Sequence, residues 1–247
     1  MWVASTSITF GTETILGEDS SLRDLFLRTR PLTNQEPQAQ ATSRDQIALG
    51  YTLFLRDASG QPVPVSPSWK FKEGDSVRML VESNSDGHLH IFNRESKVPL
   101  RMIFPDLRIR RGDSKILAHL PLGIPPATAL SSADVGWFTF SGPPQPESLY
   151  LVYAQRPVEG WPQGEELLKY PGGLQLSWDQ FLQRVETKVQ KIRGALSAEE
   201  NHPPSTSWEE SLSRKLILSK SDPPPSVVLL SPSHAQQLVI EIEFARR

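Results

Sequence analysis

Twenty-two prolines in 247 residues, several of them in clumps, set the first limit on what this chain can build. Pro125-Pro126, Pro143-Pro144, Pro203-Pro204 and Pro223-Pro224-Pro225 each remove backbone donors and lock φ, so neither a helix nor a central strand runs through them. Short elements joined by stiff connections follow, which suits an all-β fold better than a helical one.

Between the clumps the side chains alternate with a period of two. Tyr51, Leu53 and Leu55 interleave with Thr52, Phe54 and Arg56, and Asp57-Ala58-Ser59-Gly60 supplies a turn. FKEGDSVRMLVES repeats the pattern, with Val77, Met79 and Val81 on one face after the turn at Gly74-Asp75. Asn84-Ser85-Asp86-Gly87 reads as a hairpin turn with Gly87 available for φ > 0. Further strands are expected over Val98 to Phe104, Lys115 to Leu120, Gly136 to Phe140 and Ser148 to Tyr153. The predicted fold is mainly β: an antiparallel β-sandwich core over 47–156. Before it lies an arm, 1–46, with a short strand at Ser7 to Phe10 and a helix capped by Ser21. The polar run TNQEPQAQATSRDQ then serves as a linker.

The third region, 157–247, begins with a change of period. Gly172-Gly173 marks a turn, and Ser177 with Gln180 makes a capping box. Trp178, Leu182, Val185, Val189, Ile192 and Leu196 then recur at helical spacing. One long amphipathic helix over about 177–196 is expected, its stripe packed against the sandwich. A proline-rich linker follows, with a short helix capped near Ser207-Trp208-Glu209-Glu210. Last comes a β-hairpin over about 226–245, in which Leu238, Ile240, Ile242 and Phe244 share the inner face and Glu241 and Glu243 the outer. That strand is expected at or near a sheet edge.

Several function classes lose their footing in the composition. Net charge is −2, so no overall field would hold the chain on nucleic acid or an anionic membrane. Without cysteine there is no thiolate nucleophile, thiolate metal site or disulfide. Charges or prolines interrupt every apolar run short of a membrane span, and MWVASTSITF lacks the basic and apolar regions of a secretory signal. No Gly-x-Ser-x-Gly elbow or phosphate-binding glycine loop occurs, and no pair of carboxylates stands out.

Three stretches invite a functional reading. His88 and His90, two apart in ESNSDGHLHIFN, would share one face of a strand with Phe92. Zinc wants at least three protein ligands, and His119, His202 and His234 carry no diagnostic spacing, so the pair is expected to decorate a strand surface. Arg108, Arg110 and Arg111, with Lys115, form the densest basic spot and read as a solvated loop rather than a phosphate contact, because no aromatic platform interleaves with them. Trp137-Phe138-Thr139-Phe140 reads as core, with an exposed sugar or peptide platform as the alternative.

Taken in order, the central segments resemble a bacterial domain family of unknown function, DUF family four-three-eight-four. The elements carrying the likeness are the turn at Gly74-Asp75, the stretch Asn84 to Phe92, Phe104-Pro105, the aromatic strand Trp137 to Phe140, and Gly142 with Glu147 to Val152. It spans about 47–155. His88 and His90 stand where that family carries Tyr, which suits packing better than metal ligation. The resemblance implies a β-sandwich accessory domain with no catalytic residues or cofactor, and it leans towards the bacterial envelope or periplasm. The expected function is accordingly a non-enzymatic binding or scaffold module whose partners are other proteins. Nucleic acid and a direct membrane span are not expected; association with a membrane or envelope complex is left open. The alternatives are a metal-dependent hydrolase or metal carrier using His88 and His90, and a carbohydrate- or peptide-binding module using Trp137.

Overall fold

The computed structural model of the chain describes residues 24, 26–32, 46–66, 68–96, 98–125, 136–185, 190–192, 217–222, 224–231 and 235–247. Fourteen strands follow one another along it: β1 Ala48–Arg56, β2 Pro62–Val65, β3 Lys70–Phe71, β4 Ser76–Ser83, β5 Gly87–Glu95, β6 Leu100–Phe104, β7 Lys115–Ile116, β8 Leu122–Ile124, β9 Phe138–Thr139, β10 Glu147–Ala154, β11 Gln175–Leu176, β12 Gln190–Ile192, β13 Val227–Leu230 and β14 Gln237–Arg246. Among the described residues, the short α-helix α1 (Trp178–Leu182), α-helical residues at 24 and 26–28 within the expected N-terminal helix, and two 3-10 turns at Arg110–Gly112 and Gly164–Lys169 complete the regular structure.

These strands form two sheets. The first runs β13-β1-β4-β8, with β2 on β1 and β9 on β4; the second runs β11-β6-β5-β10-β14-β12, with β3 on β14 and β7 on β5. Most pairs are antiparallel, while β12 and β3 lie parallel to β14. The period-two alternation places Tyr51, Leu53, Met79 and Val81 from the first sheet in one apolar core with Leu89, Ile91, Leu151, Tyr153, Leu238, Ile240 and Ile242 from the second. The mainly β reading therefore holds, with two sheets sharing a core.

Both expected hairpins are replaced by crossings between the sheets. Asn84-Ser85-Asp86 joins β4 to β5, which belong to different sheets. Asn84 anchors the crossing, its Oδ1 accepting from the Ala48 amide at 2.7 Å and its Nδ2 donating to the Gln46 carbonyl at 3.2 Å. Gly87 is not in the left-handed region. It is glycine for want of space, since a Cβ there would lie 2.5 Å from the Tyr153 ring. At the C-terminal end β13 pairs with β1 and β14 with β10, so the expected 226–245 hairpin is also a crossing. The expectation that β14 lies at or near a sheet edge holds: β10 pairs along one side of it and β12, the last strand in the sheet order, along the other.

The long helix over 177–196 is not formed. The capping box of Ser177 and Gln180 is present, but the helix it starts ends at Leu182. The chain then returns as β12 beside β14. Local preference and tertiary demand agree here. Val185, Thr187, Val189 and Ile192 are β-branched and weak helix formers, and β14 needs partners along its outer edge. Leu182, a member of the expected stripe, is 41% exposed, and Leu196 lies outside the described residues. So do the expected strand at Ser7 to Phe10, the Ser21 cap and the helix near Ser207. Among the described residues no helix is long and apolar enough to cross a membrane.

What the short helix does is cover the outer face of the second sheet. There Phe92, Tyr150, Val152 and Val239 meet Trp161, Leu167, Leu174, Leu176 and Phe181 in a second apolar cluster. Phe181 is fully buried, edge-on to Phe92 at 5.4 Å and to Tyr150 at 5.5 Å. Gly173 lets this cover lie close: a Cβ there would meet the Met102 carbonyl oxygen at 2.1 Å, and its φ is +96°. We expect Phe181→Ala to cost about 3–5 kcal/mol and to lower the urea midpoint of one cooperative transition; a separate early transition for the outer cluster would contradict the shared architecture.

Candidate functional site

The sequence-level candidates separate in space. His88 and His90 do share a face of β5, but His90 is 1% exposed, under Trp161 with ring centroids 4.8 Å apart. The expectation of a strand surface is thus corrected: the outer cluster covers the ring, because that face of the second sheet is apolar and needs covering. His90 Nδ1 is buried with no hydrogen-bond partner among the described residues. Burial first, and then the neighbouring His88, push its pKa down to about 3, so the ring is neutral. His88 is half-buried and its Nδ1 lies 2.9 Å from Ser114 Oγ. That hydroxyl donates its own hydrogen to Gln163 Oε1 at 2.8 Å, so His88 is the donor in the first bond. Among the described residues no group of three or more His, Cys, Asp or Glu could hold a metal. His202 and His234 lie outside them.

Sequence reasoning missed a buried ion cluster on the outer face of the first sheet. Arg30 clasps Glu82 through two bonds, Nε to Oε1 at 2.8 Å and Nη2 to Oε2 at 2.6 Å, with both side chains 3% exposed or less. Its Nη1 donates to the carbonyls of Ser219 (3.2 Å) and Asp222 (2.8 Å). His119 approaches the same carboxylate, Nδ1 to Oε1 at 2.7 Å, while its Nε2 lies 2.9 Å from Thr29 Oγ1. Four segments of the chain therefore meet in one cluster, around Glu82 and the Arg30 guanidinium. Burial alone would raise the Glu82 pKa; the hydrogen bonds and charges of His119 and Arg30 outweigh it and hold the group below its usual range.

Glu82, His119 and Thr29 have the spacing of an acid-base-nucleophile relay, yet the bond directions oppose that chemistry. Thr29 Oγ1 donates its hydrogen to the Phe26 carbonyl at 2.6 Å, and not to His119 Nε2. A general base must accept the nucleophile's proton, and here that proton is held by a backbone carbonyl. The cluster is better described as a clasp that seats residues 26–30 and 217–222 on the first sheet. One signal for it was present: Gly50, opposite Glu82 in the middle of β1, marks a close approach. A Cβ there would lie 2.4 Å from Pro225 Cγ.

A third place is open to ligands. Where β6 of the second sheet faces β8 and β9 of the first, a cleft of about 470 Å³ remains, floored by Ile103, Ile109, Ile124 and Phe138. Leu107, Leu168 and Tyr170 border it and are 39%, 68% and 39% exposed. A smaller cavity of about 210 Å³ shares Arg101, Ile103 and Phe138 and reaches inward to Met79 and Leu149. Of the aromatic stretch 137–140, Phe138 faces this space, Phe140 is buried in the core and Trp137 does not line the cleft. The basic spot flanks it: Arg108 lines the cleft and pairs with Asp106, and the 3-10 turn Arg110–Gly112 follows directly. Compared with protein-family models, curated proteins and solved structures, the chain shows no significant match to any.

Two outcomes follow from the buried groups. Arg30→Met, which strands Glu82 without its cation, is expected to cost about 3–5 kcal/mol in denaturant unfolding, whereas replacing Arg30 and Glu82 together by apolar residues costs less. The unfolded chain protonates His90 near 6.5 and the folded chain only near 3, so stability falls with pH across that window. From pH 7 to pH 5 the loss is about 2 kcal/mol. His90→Phe removes it and leaves the Glu82 contribution, which is lost only as pH falls through that group's depressed value, below 4.5. Equal pH dependence in wild type and His90→Phe would refute the assignment.

Proposed function

We propose that this chain is a non-enzymatic accessory or scaffold module, a β-sandwich that binds another protein through the cleft between its sheets. The observation carrying this reading is the ring of exposed apolar side chains, Leu107, Leu168 and Tyr170, around a cleft of about 470 Å³. That volume lies in the range of binding pockets, about 300–1,000 Å³. Apolar groups held in water beside a concave apolar floor gain free energy when a partner's side chain excludes that water. The resemblance of residues 47–155 to DUF family four-three-eight-four, a bacterial accessory domain, points the same way, and two of its signature elements, Phe104-Pro105 and the 137–140 strand, supply cleft residues. The same family leans towards an envelope-associated complex.

The alternative readings draw less from the geometry. A metal carrier at His88 and His90 has no third ligand among the described residues, and one of its two rings is buried against Trp161. A carbohydrate platform at Trp137 would have to work away from the cleft.

Leu168→Asp tests the proposal, because at 68% exposure the change should alter folding stability by no more than about 0.5 kcal/mol. Mild affinity purification from the native host followed by mass measurement of the intact complex should recover wild type with a stoichiometric protein partner, reduced about tenfold or more in the variant. A lone monomer at native abundance, or a partner retained equally by Leu168→Asp, would overturn it.

A further inference from the structure

The flank of the cleft is locally basic. Residues 101–115 hold five cations (Arg101, Arg108, Arg110, Arg111, Lys115) and two carboxylates (Asp106, Asp113), a net of +3 in a chain of net −2. All five cations are exposed. Of the two carboxylates, Asp106 is taken up by Arg108, with a hydrogen bond from that guanidinium's Nε at 3.0 Å. Asp113 accepts the Lys115 amide at 2.8 Å. Arg101 lies 4.0 Å from Glu95, and the Arg111 side chain makes no hydrogen bond or ion pair among the described residues. A surplus of exposed positive charge therefore sits beside an apolar cleft.

The backbone holds that surplus in place at a cost. Arg110 and Arg111 are consecutive left-handed residues, φ 47° and 58°, a conformation that strains any residue with a Cβ. Three contacts impose it. The Asp113 amide donates to the Arg110 carbonyl at 3.3 Å, and Arg110 Nη1 donates to the Lys115 carbonyl at 2.8 Å. Gly112 packs so closely on the Gly164–Lys169 turn that a Cβ there would meet Leu167 Cδ1 at 2.5 Å. The turn pinned in this way is the one that presents Leu168. Basic loop and apolar ridge are thus fixed relative to one another before any ligand arrives, which lowers the ordering cost of binding.

Resting on the binding reading above, we propose that the cleft recognises an extended acidic segment of a protein partner, with an apolar side chain seated among Leu107, Leu168 and Tyr170 and carboxylates beside Arg101, Arg110 and Arg111. A nucleic acid would fit less well. Its phosphates have no use for the apolar floor, and a single strand wants several exposed rings where the rim offers Tyr170. An acidic peptide with an aromatic or leucine anchor uses both halves of the site.

A random-peptide display library selected against the full chain, with binders remeasured by fluorescence anisotropy, tests this directly. Selected peptides should be enriched in Asp and Glu next to a leucine or aromatic residue. Their affinity should fall about tenfold or more in Arg111→Glu and in Arg101→Glu, at unchanged thermal midpoint, and should weaken as salt is raised. Leu168→Asp should abolish binding. Apolar enrichment without acidic residues, lost in Leu168→Asp, would sink the charge inference and leave the cleft reading standing. Peptides indifferent to Leu168→Asp, or no enrichment at all, would sink both. Tighter binding of an oligothymidine strand or of phosphatidylserine vesicles than of any selected peptide would overturn the choice of partner.

Discussion

The second sheet is apolar on both faces, and most of the structure answers that one constraint. Leu89, Ile91, Leu151 and Ile240 face the first sheet, while Phe92, Tyr150, Val152 and Val239 face the other way. An antiparallel sheet with one solvated face would need nothing more. This one needs a cover, and residues 158–181 provide it with Trp161, Leu167, Leu174, Leu176 and Phe181. The early end of α1 follows, because a single turn is enough to place Phe181 and the chain is then required at the edge of β14. The burial of two polar side chains follows as well. His90 is neutral beneath Trp161, and Glu241 accepts the Tyr150 hydroxyl at 2.5 Å. Burial, and then that carboxylate, push the Tyr150 pKa up to about 12.

The first sheet solves the same problem with charge. Phe26 and Pro225 approach Gly50 on its outer face, and the Arg30–Glu82–His119 cluster joins the covering segments to β4 and to the loop before β8. Buried ion pairs contribute little net stability once desolvation is counted, but they tolerate few alternative arrangements. A hydrophobic cover can slide, whereas a carboxylate with a bidentate guanidinium on one side and an imidazole on the other specifies where each segment sits. Where β6 faces β8 and β9 the sheets do not close on one another, and the second sheet's cover supplies only a rim there, Leu167 to Gly173. The cleft is what remains there, with its apolar floor continuous with the core and its basic flank held by a strained loop.

Much of the fold was legible in local pattern. Alternation located β1, β4, β5, β10 and β14, the placement of His88, His90 and Phe92 on one face was right, and the Ser177–Gln180 capping box is formed. The errors share a cause. The periodicity of Trp178, Leu182, Val185, Val189 and Ile192 fits a helix, but it cannot say that β14 offers backbone partners nearby. Asn84 to Gly87 and the segment between β13 and β14 have turn composition, and a turn within a sheet uses the same residues as a crossing between sheets. The cleft was not legible at all. Leu107 lies far along the chain from Leu168 and Tyr170, and all three differ in no way from buried leucines and tyrosines until exposure is known.

The sequence by itself therefore determined the class of architecture, since proline spacing and period-two alternation are local properties that act on each segment separately. It also excluded thiolate chemistry, a matter of residue type alone. Only the tertiary structure decided which strands share a sheet, which histidine is buried, and that Arg30, Glu82 and His119 meet. Those outcomes depend on which surfaces remain to be covered once the strands have paired, and that is a property of the assembled sheets and of no single stretch of chain.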